Sequence, residues 1–272
     1  MTITIPDVTV GVLALQGAFS EHVQLLRLAA QGLKARKAVD VKWGFIEVRT
    51  PQELSTCDGL IIPGGESTAM SLVAARSGLL EPLRDFVKVL RKPTWGTCAG
   101  LILLAESANR TKKGGQELIG GLDVRVNRNH FGRQVESFQA NLSLPFLGDT
   151  VDKDASEPFR CVFIRAPVVE KLLPHKEGIQ VEEAEQDATV VAPAKTPADE
   201  LAKEELKADV EVMAKLSAET PDIIAVRQGN VFGCSFHPEL TADSRIHVWW
   251  LEEILKAVQR RQEFELVDGT VS

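Results

Sequence analysis

The sequence predicts an α/β fold: one domain on a mostly parallel central sheet, covered by helices on both faces, with a small antiparallel β extension. Three observations lead there. Short apolar runs alternate with helix-like stretches through the first half of the chain, the order a parallel sheet with crossover helices produces. The first run, residues 8–15, is almost uninterrupted in apolar side chains, as a strand buried on both faces requires. The chemically richest residues, near 64, 98 and 237, stand at the ends of predicted strands, where open α/β sheets bind ligands.

In order along the chain, residues 8–15 form the first strand. Residues 20–30 follow as a helix with Ser20 as N-cap, and Val23, Leu25, Leu26 and Leu28 fall mostly on one face. Residues 45–48 and 59–62 read as the next strands, then 69–76 and 79–90 as helices. Residues 93–97 form the strand that enters Cys98, and the apolar run 101–105 belongs to the helix that leaves it. Between about 122 and 166 the pattern turns β-rich, in pieces at 123–126, 137–142 and 161–164. Residues 231–236 alternate as a short strand, and 248–258 form a closing helix. The domain spans 8–260 and leaves a tail at 261–272. Within it, residues 182–221 stand apart as an insertion rich in Ala, Glu, Asp and Lys. There Thr196-Pro197-Ala198-Asp199 resembles a helix start, with proline at the first helical position. The expectation is an exposed, salt-laced helix over 199–218 in a solvated insertion, with a partner-binding arm as the alternative.

Composition bounds the function. A length of 272 residues and 44% hydrophobic content suffice for a large core. A net charge of −7 argues against nucleic acid as the partner. No apolar stretch approaches the roughly 18 residues of a membrane helix, and the first residues lack the basic and apolar regions of a signal peptide. The four cysteines (57, 98, 161 and 234) show neither CxxC nor metal-ligand spacing. Free thiols in a reducing cytoplasm fit best, with Cys57, Cys161 and Cys234 as core residues and no metal site.

Gly96-Thr97-Cys98-Ala99-Gly100 has the strand–turn–helix context in which a nucleophile sits on a sharp turn. The flanking glycines matter because backbone there passes close to backbone. A base is available in His237-Pro238-Glu239. On an extended segment, residues two apart project to the same side, so Glu239 is placed to orient His237. Gly64-Gly65, at the end of the 59–62 strand, allows the main chain to aim its N–H groups at a developing oxyanion.

Assembled, these residues resemble the class I (triad) glutamine amidotransferases, through Gly96–Gly100 and His237-Pro238-Glu239. More narrowly the chain resembles the glutaminase subunits of pyridoxal phosphate synthase. That match rests on Leu15-Gln16-Gly17-Ala18, residues 63–68, residues 128–134, residues 163–167 and residues 233–239, and it covers nearly the whole chain. Departures are the 182–221 insertion, expansions near 31–44, 107–117 and 145–158, and Ala69 and His130.

The resemblance implies a flavodoxin-like, amidotransferase-type fold and hydrolysis of L-glutamine to glutamate and ammonia through a cysteine thioester. It implies Cys98 as nucleophile, His237 as base and Glu239 as its orienter, with the N–H groups of Gly65 and Ala99 meeting the oxyanion. Gly64, Gly65, Glu66, Ser67, Arg128, Ile164 and Arg165 are the implied substrate-binding residues. Glu66 either meets the α-ammonium group or braces its loop. Gln16 is a supporting candidate beside the oxyanion loop, His22 a candidate for the partner interface or a solvated helix position, and Arg133 is left unassigned. No cofactor is implied. The implied partner is the barrel-type synthase subunit, in a large hetero-oligomer, with little glutaminase activity alone and stimulation on docking. Alternatives are the glutaminase of another amidotransferase, a catalytically silent regulatory subunit, or a cysteine peptidase.

Overall fold

The computed structural model describes residues 7–37, 41–109, 116–128, 130, 137–148, 157–217 and 221–267. Among them, Val8–Leu13 (β1) leads into the helix Phe19–Lys37 (α1), then Trp43–Val48 (β2), the short helix Pro51–Ser55 (α2) and Gly59–Ile62 (β3). Ser67–Arg76 (α3) and Leu80–Arg84 (α4) follow, the latter continuing as a π-helical turn over Asp85–Val89. Thr94–Thr97 (β4) enters the elbow and Ala99–Leu104 (α5) leaves it. Ala105–Asn109 (β5), Leu122–Asn127 (β6), Ser137–Leu142 (β7), Phe159–Ile164 (β8) and Val168–Leu172 (β9) come next. The remainder is Val181–Ala184 (α6), Thr189–Val191 (β10), Glu200–Lys207 (α7), Glu211–Lys215 (β11), Ile223–Gln228 (β12), Val231–Cys234 (β13) and Arg245–Val267 (α8).

The expected α/β architecture is present. The central sheet runs β10-β5-β6-β9-β12-β13-β4-β3-β1-β2, with β11 paired to β12. From β13 to β2 every pairing is parallel. On the other side, β5–β6 is parallel and the remaining pairings are antiparallel. The antiparallel extension is the β7–β8 hairpin. Two buried layers sandwich the sheet. One packs α3, α4 and α5 around Leu60, Ile62, Leu83 and Leu101. The other packs α1 and α8 around Val10, Ile61, Trp95, Phe232 and Trp250.

Several elements depart from expectation. α1 begins at Phe19, so Ser20 lies inside the helix and does not cap it, and the helix runs on to Lys37. Val23, Leu25 and Leu26 are buried as predicted, but Leu28 is exposed. Residues 199–218 do not form one helix. Asp199 caps α7 by accepting from the Ala202 N–H at 2.8 Å, the helix ends at Lys207, and β11 then pairs antiparallel with β12. The helix is not fully solvated either, because Leu201, Ala202 and Glu205 are buried. The closing helix starts at Arg245 and extends to Val267. Arg133, most of the 128–134 motif, the core of the 107–117 and 145–158 expansions, residues 38–40 and the last five residues lie outside the described residues.

Candidate active site

β4 delivers its chain at the C-terminal edge of the parallel strands, and there the backbone turns sharply. Cys98 has φ 48° and ψ −100°, a conformation costly for any residue with a Cβ. Its N–H donates to the Cys234 carbonyl at 2.8 Å, tying the elbow to β13. The glycines two residues away are sterically required. A Cβ on Gly100 would overlap the Ile62 carbonyl, and one on Gly96 would overlap the Gly100 backbone. The turn therefore sits directly on the end of β3. Ala99 opens α5, a position whose N–H has no intrahelical acceptor.

His237 and Glu239 come to this elbow from the end of β13. The segment is not extended as the sequence suggested: Pro238–Leu240 is a 3-10 turn with His237 just before it. The pairing nevertheless forms, with His237 Nδ1 2.7 Å from Glu239 Oε1. The Nδ1–H donates to the carboxylate, which leaves Nε2 for the thiol. The Cys98 thiol lies close enough to the His237 ring to favour its protonated form. A second contact, 3.9 Å long, links Cys98 Sγ to the Ile164 carbonyl at the end of β8. The His237 N–H donates to the Val162 carbonyl at 2.8 Å, so the β7–β8 hairpin fixes the histidine from behind.

The electrostatics follow from this geometry. Burial alone would push the His237 imidazolium toward the neutral form, but the Cys98 and Glu239 contacts overcome it and raise its pKa to about 10. Burial would likewise raise Glu239, yet His22 and His237 hold its carboxyl well below the usual range. The other three cysteines are buried without such partners. Desolvation moves Cys57 up to about 11, Cys161 up to about 12 and Cys234 well above the ordinary thiol value. Such thiols are poor nucleophiles at neutral pH.

The Gly64-Gly65 turn lies against the same elbow. A Cβ on Gly64 would overlap the His237 ring, and Gly17, at φ +97°, packs on the Gly64 carbonyl. That carbonyl accepts from the Ala18 N–H at 3.3 Å. Gln16 braces the turn through Oε1, which accepts from the Glu66 N–H at 2.7 Å. Glu66 caps α3, its carboxylate accepting from the Thr68 and Ala69 N–H groups at 3.1 and 2.7 Å. Burial opposes its ionisation, but those N–H groups and Arg128 prevail and its pKa falls. Arg128 is buried and reaches across from the end of β6, donating through Nη2 to Ser67 Oγ at 2.8 Å and Thr68 Oγ1 at 3.0 Å. Ser67 in turn donates to Gln116 Oε1 at 3.1 Å. Arg165, directly after β8, holds φ 43°, and Ile164 beside it is exposed.

One residue belongs somewhere else than expected. His22 is neither at an interface nor solvated: it is fully buried under the site, with Nε2 3.3 Å from Glu239 Oε2. His247, which the sequence reading passed over, lies against it, Nε2 to His22 Nδ1 at 3.0 Å. The only trace in the sequence is a histidine on each of two helices that flank the same sheet face.

Comparison with known proteins gives the family. The SNO glutamine amidotransferase family model matches residues 12–202 and 195–256. A relative from Arabidopsis thaliana, "Probable pyridoxal 5'-phosphate synthase subunit PDX2", is 44% identical over 90% of this chain and 85% of its own length. The pyridoxal 5'-phosphate synthase subunit PdxT of Carboxydothermus hydrogenoformans is 36% identical over 92% of this chain and 99% of its own. A crystal structure of a glutamine amidotransferase superposes with a TM-score of 0.60 at 36% identity, covering 90% of this chain and 98% of that one. The chain belongs to the SNO glutamine amidotransferase family.

Proposed function

We propose that this chain is the glutaminase subunit of a pyridoxal phosphate synthase. It hydrolyses L-glutamine to glutamate and ammonia and delivers the ammonia to a barrel-type synthase subunit in a hetero-oligomer. The observation that carries the reading is the strained Cys98 in contact with His237, which is backed by a buried, ionised Glu239. The names of the relatives as subunits of pyridoxal 5'-phosphate synthase supply the acceptor.

In this mechanism the Cys98 sulfur, its proton held by His237, attacks the side-chain amide carbon of glutamine and forms a C–S bond. The amide π electrons move onto oxygen, where the N–H groups of Gly65 and Ala99 are the donors. Losing one such donor typically costs about 3 kcal/mol of barrier. His237 then protonates the departing nitrogen, the C–N bond breaks, and ammonia leaves. Water attacks the thioester, His237 takes its proton, and the C–S bond breaks to release glutamate. Glu239 balances the imidazolium charge throughout. Arg128, Ser67 and the Gly64–Glu66 turn hold the amino-acid end of the substrate, with Ile164 and Arg165 forming the opposite wall. Glu66 braces its loop as the cap of α3, and Gln16 fixes the turn that carries Gly65.

The test is ammonia release from free L-glutamine by wild type and Cys98→Ala, each with and without a barrel-type synthase subunit. Wild type is expected to release ammonia, faster when the subunit is added, and Cys98→Ala none. Release by Cys98→Ala at the wild-type rate contradicts the nucleophile. Equal turnover with and without the subunit contradicts the partner.

A further inference from the structure

Glu239 has two carboxylate oxygens, and the site described above uses one. The carboxylate is wholly buried, and its Oε2 has no well-aligned hydrogen-bond donor. The nearest polar hydrogen belongs to His22, whose Nε2 lies between Glu239 Oε2 at 3.3 Å and Thr97 Oγ1 at 3.4 Å. His22 projects from α1 and is fully buried. An oxygen of a buried carboxylate left without a donor costs several kcal/mol in general, so the group opposite it governs whether the carboxylate stays ionised and which way it points.

The protons on this chain of rings can be assigned. His22 Nε2 faces an anionic oxygen and therefore carries a hydrogen, because a bare lone pair there would be repelled. Its Nδ1 meets His247 Nε2 at 3.0 Å. His247 is fully buried, its Nδ1 has no partner, and burial favours its neutral form. A buried orphan N–H is rarer than an under-used acceptor, which places the His247 proton on Nε2, donating to His22 Nδ1. The edge of Trp95 closes the space around both rings, with centroids 5.5 Å from His22 and 5.1 Å from His247. Every polar hydrogen in the series thus points toward Glu239, from His237 on one side and from His247 through His22 on the other.

Taking Cys98, His237 and Glu239 as the catalytic set proposed above, we infer that His22, itself oriented by His247, is a positioning residue that holds the second oxygen of Glu239 and so aims the carboxylate at His237. Among the described residues, the ionisable groups around this carboxylate are His237 on its own turn, His22 on α1, His247 on α8, and the thiols of Cys98 at the elbow and Cys234 on β13. Of these groups, His22 is the one that faces Oε2, at 3.3 Å. Without it, Glu239 would ionise less readily, and His237 would lose part of the charge that stabilises its imidazolium.

The experiment is a histidine-labelled NMR titration of His237 combined with steady-state glutamine hydrolysis, for wild type, His22→Ala, His22→Gln and His247→Ala. His22→Ala is expected to lower the His237 titration midpoint by about one pH unit, a tenfold change in the ionisation equilibrium. It should cut kcat by a similar factor with KM for glutamine unchanged. His22→Gln, whose amide N–H reaches to the same depth, should restore most of both. His247→Ala should move both in the same direction by less, and it carries the test if His22→Ala does not fold. A folded His22→Ala with wild-type midpoint and kcat overturns the inference, as does His22→Gln no better than alanine. If wild-type His237 titrates as an ordinary histidine, the catalytic set itself fails, and the role of His22 with it.

Discussion

Two buried residues with similar positive φ angles, Arg91 and Cys98, have opposite fates. Arg91 holds φ 50° and Cys98 φ 48°, and both carry chemistry-bearing side chains into the interior. At Arg91 the side chain is a clamp. Its guanidinium donates to the carbonyls of Gly121 at 2.7 Å and Gln228 at 2.9 Å, with a longer contact to Glu205 at 3.4 Å. Those contacts fasten β12 and α7 to the loop before β6. Burial pulls its pKa down to about 10 against the pull of Asp123, Glu205 and Glu106. At Cys98 the side chain meets one histidine and one distant carbonyl, beside a glycine turn that no Cβ could enter. Strain and burial alone therefore do not mark a reactive site. What separates the two is whether the buried group is held by main-chain carbonyls of the fold, as both terminal nitrogens of Arg91 are, or set beside a base at a turn.

The first way to sharpen that contrast is to remove each residue in turn. Arg91→Ala strands the Gly121 and Gln228 carbonyls in the interior and is expected to lower the unfolding free energy by about 3 kcal/mol. Glutamine turnover per folded molecule should stay within about twofold of wild type. Cys98→Gly should do the reverse. It abolishes turnover, while relief of the positive φ raises the unfolding free energy by about 1 kcal/mol. Denaturant unfolding and an ammonia assay read both. If Arg91→Ala instead loses activity without losing stability, the distinction between clamp and nucleophile collapses.

A smaller effect separates two histidines of the site region, because their shifts have opposite sign. The His237 pKa is raised in the folded protein. The stability it contributes is complete below its unfolded value of about 6.5 and is lost as pH rises toward about 10. The His247 pKa is depressed, so its contribution is present above about 6.5 and is lost as pH falls below that value. Calorimetric melting of wild type and His247→Leu between pH 5 and pH 7 checks this. The acid-side fall in melting temperature should be shallower in the variant, and an equally steep fall would contradict the assignment of His247 as a neutral buried ring.

The same contrast explains what could be read from the chain alone. β1 and β3 are announced by mostly apolar runs, because a strand covered on both faces has little use for polar side chains, whereas β4, Thr94-Trp95-Gly96-Thr97, is placed by the elbow that it enters. The Cys98 elbow is legible because backbone crowding dictates glycine at fixed offsets, which the close approach of Gly100 to the Ile62 carbonyl explains. β5 is not legible. Its Glu106 and Ser107 look solvated in sequence, yet they are buried because Lys88 reaches Glu106 at 2.9 Å and Ser107 donates to Glu183 at 2.9 Å. Partners so far away leave no local pattern. In the sequence β11 reads as helix, because a short strand with charged outward positions and one buried Ala214 mimics a solvated helix face. His22 and His247 lie 225 positions apart, and nothing in either helix signals that their rings meet beneath Glu239.

The most direct measurement is covalent trapping. A glutamine-shaped electrophile, such as a diazoketone analogue of glutamine, is reacted with the protein at neutral pH, and the modified peptide is identified by mass spectrometry. Modification confined to Cys98, slowed by L-glutamine and absent in His237→Ala, is the predicted result. Modification of Cys57, Cys161 or Cys234 at comparable rates, or labelling of Cys98 that L-glutamine does not slow, would contradict the assignment of the elbow as a glutamine-hydrolysing centre.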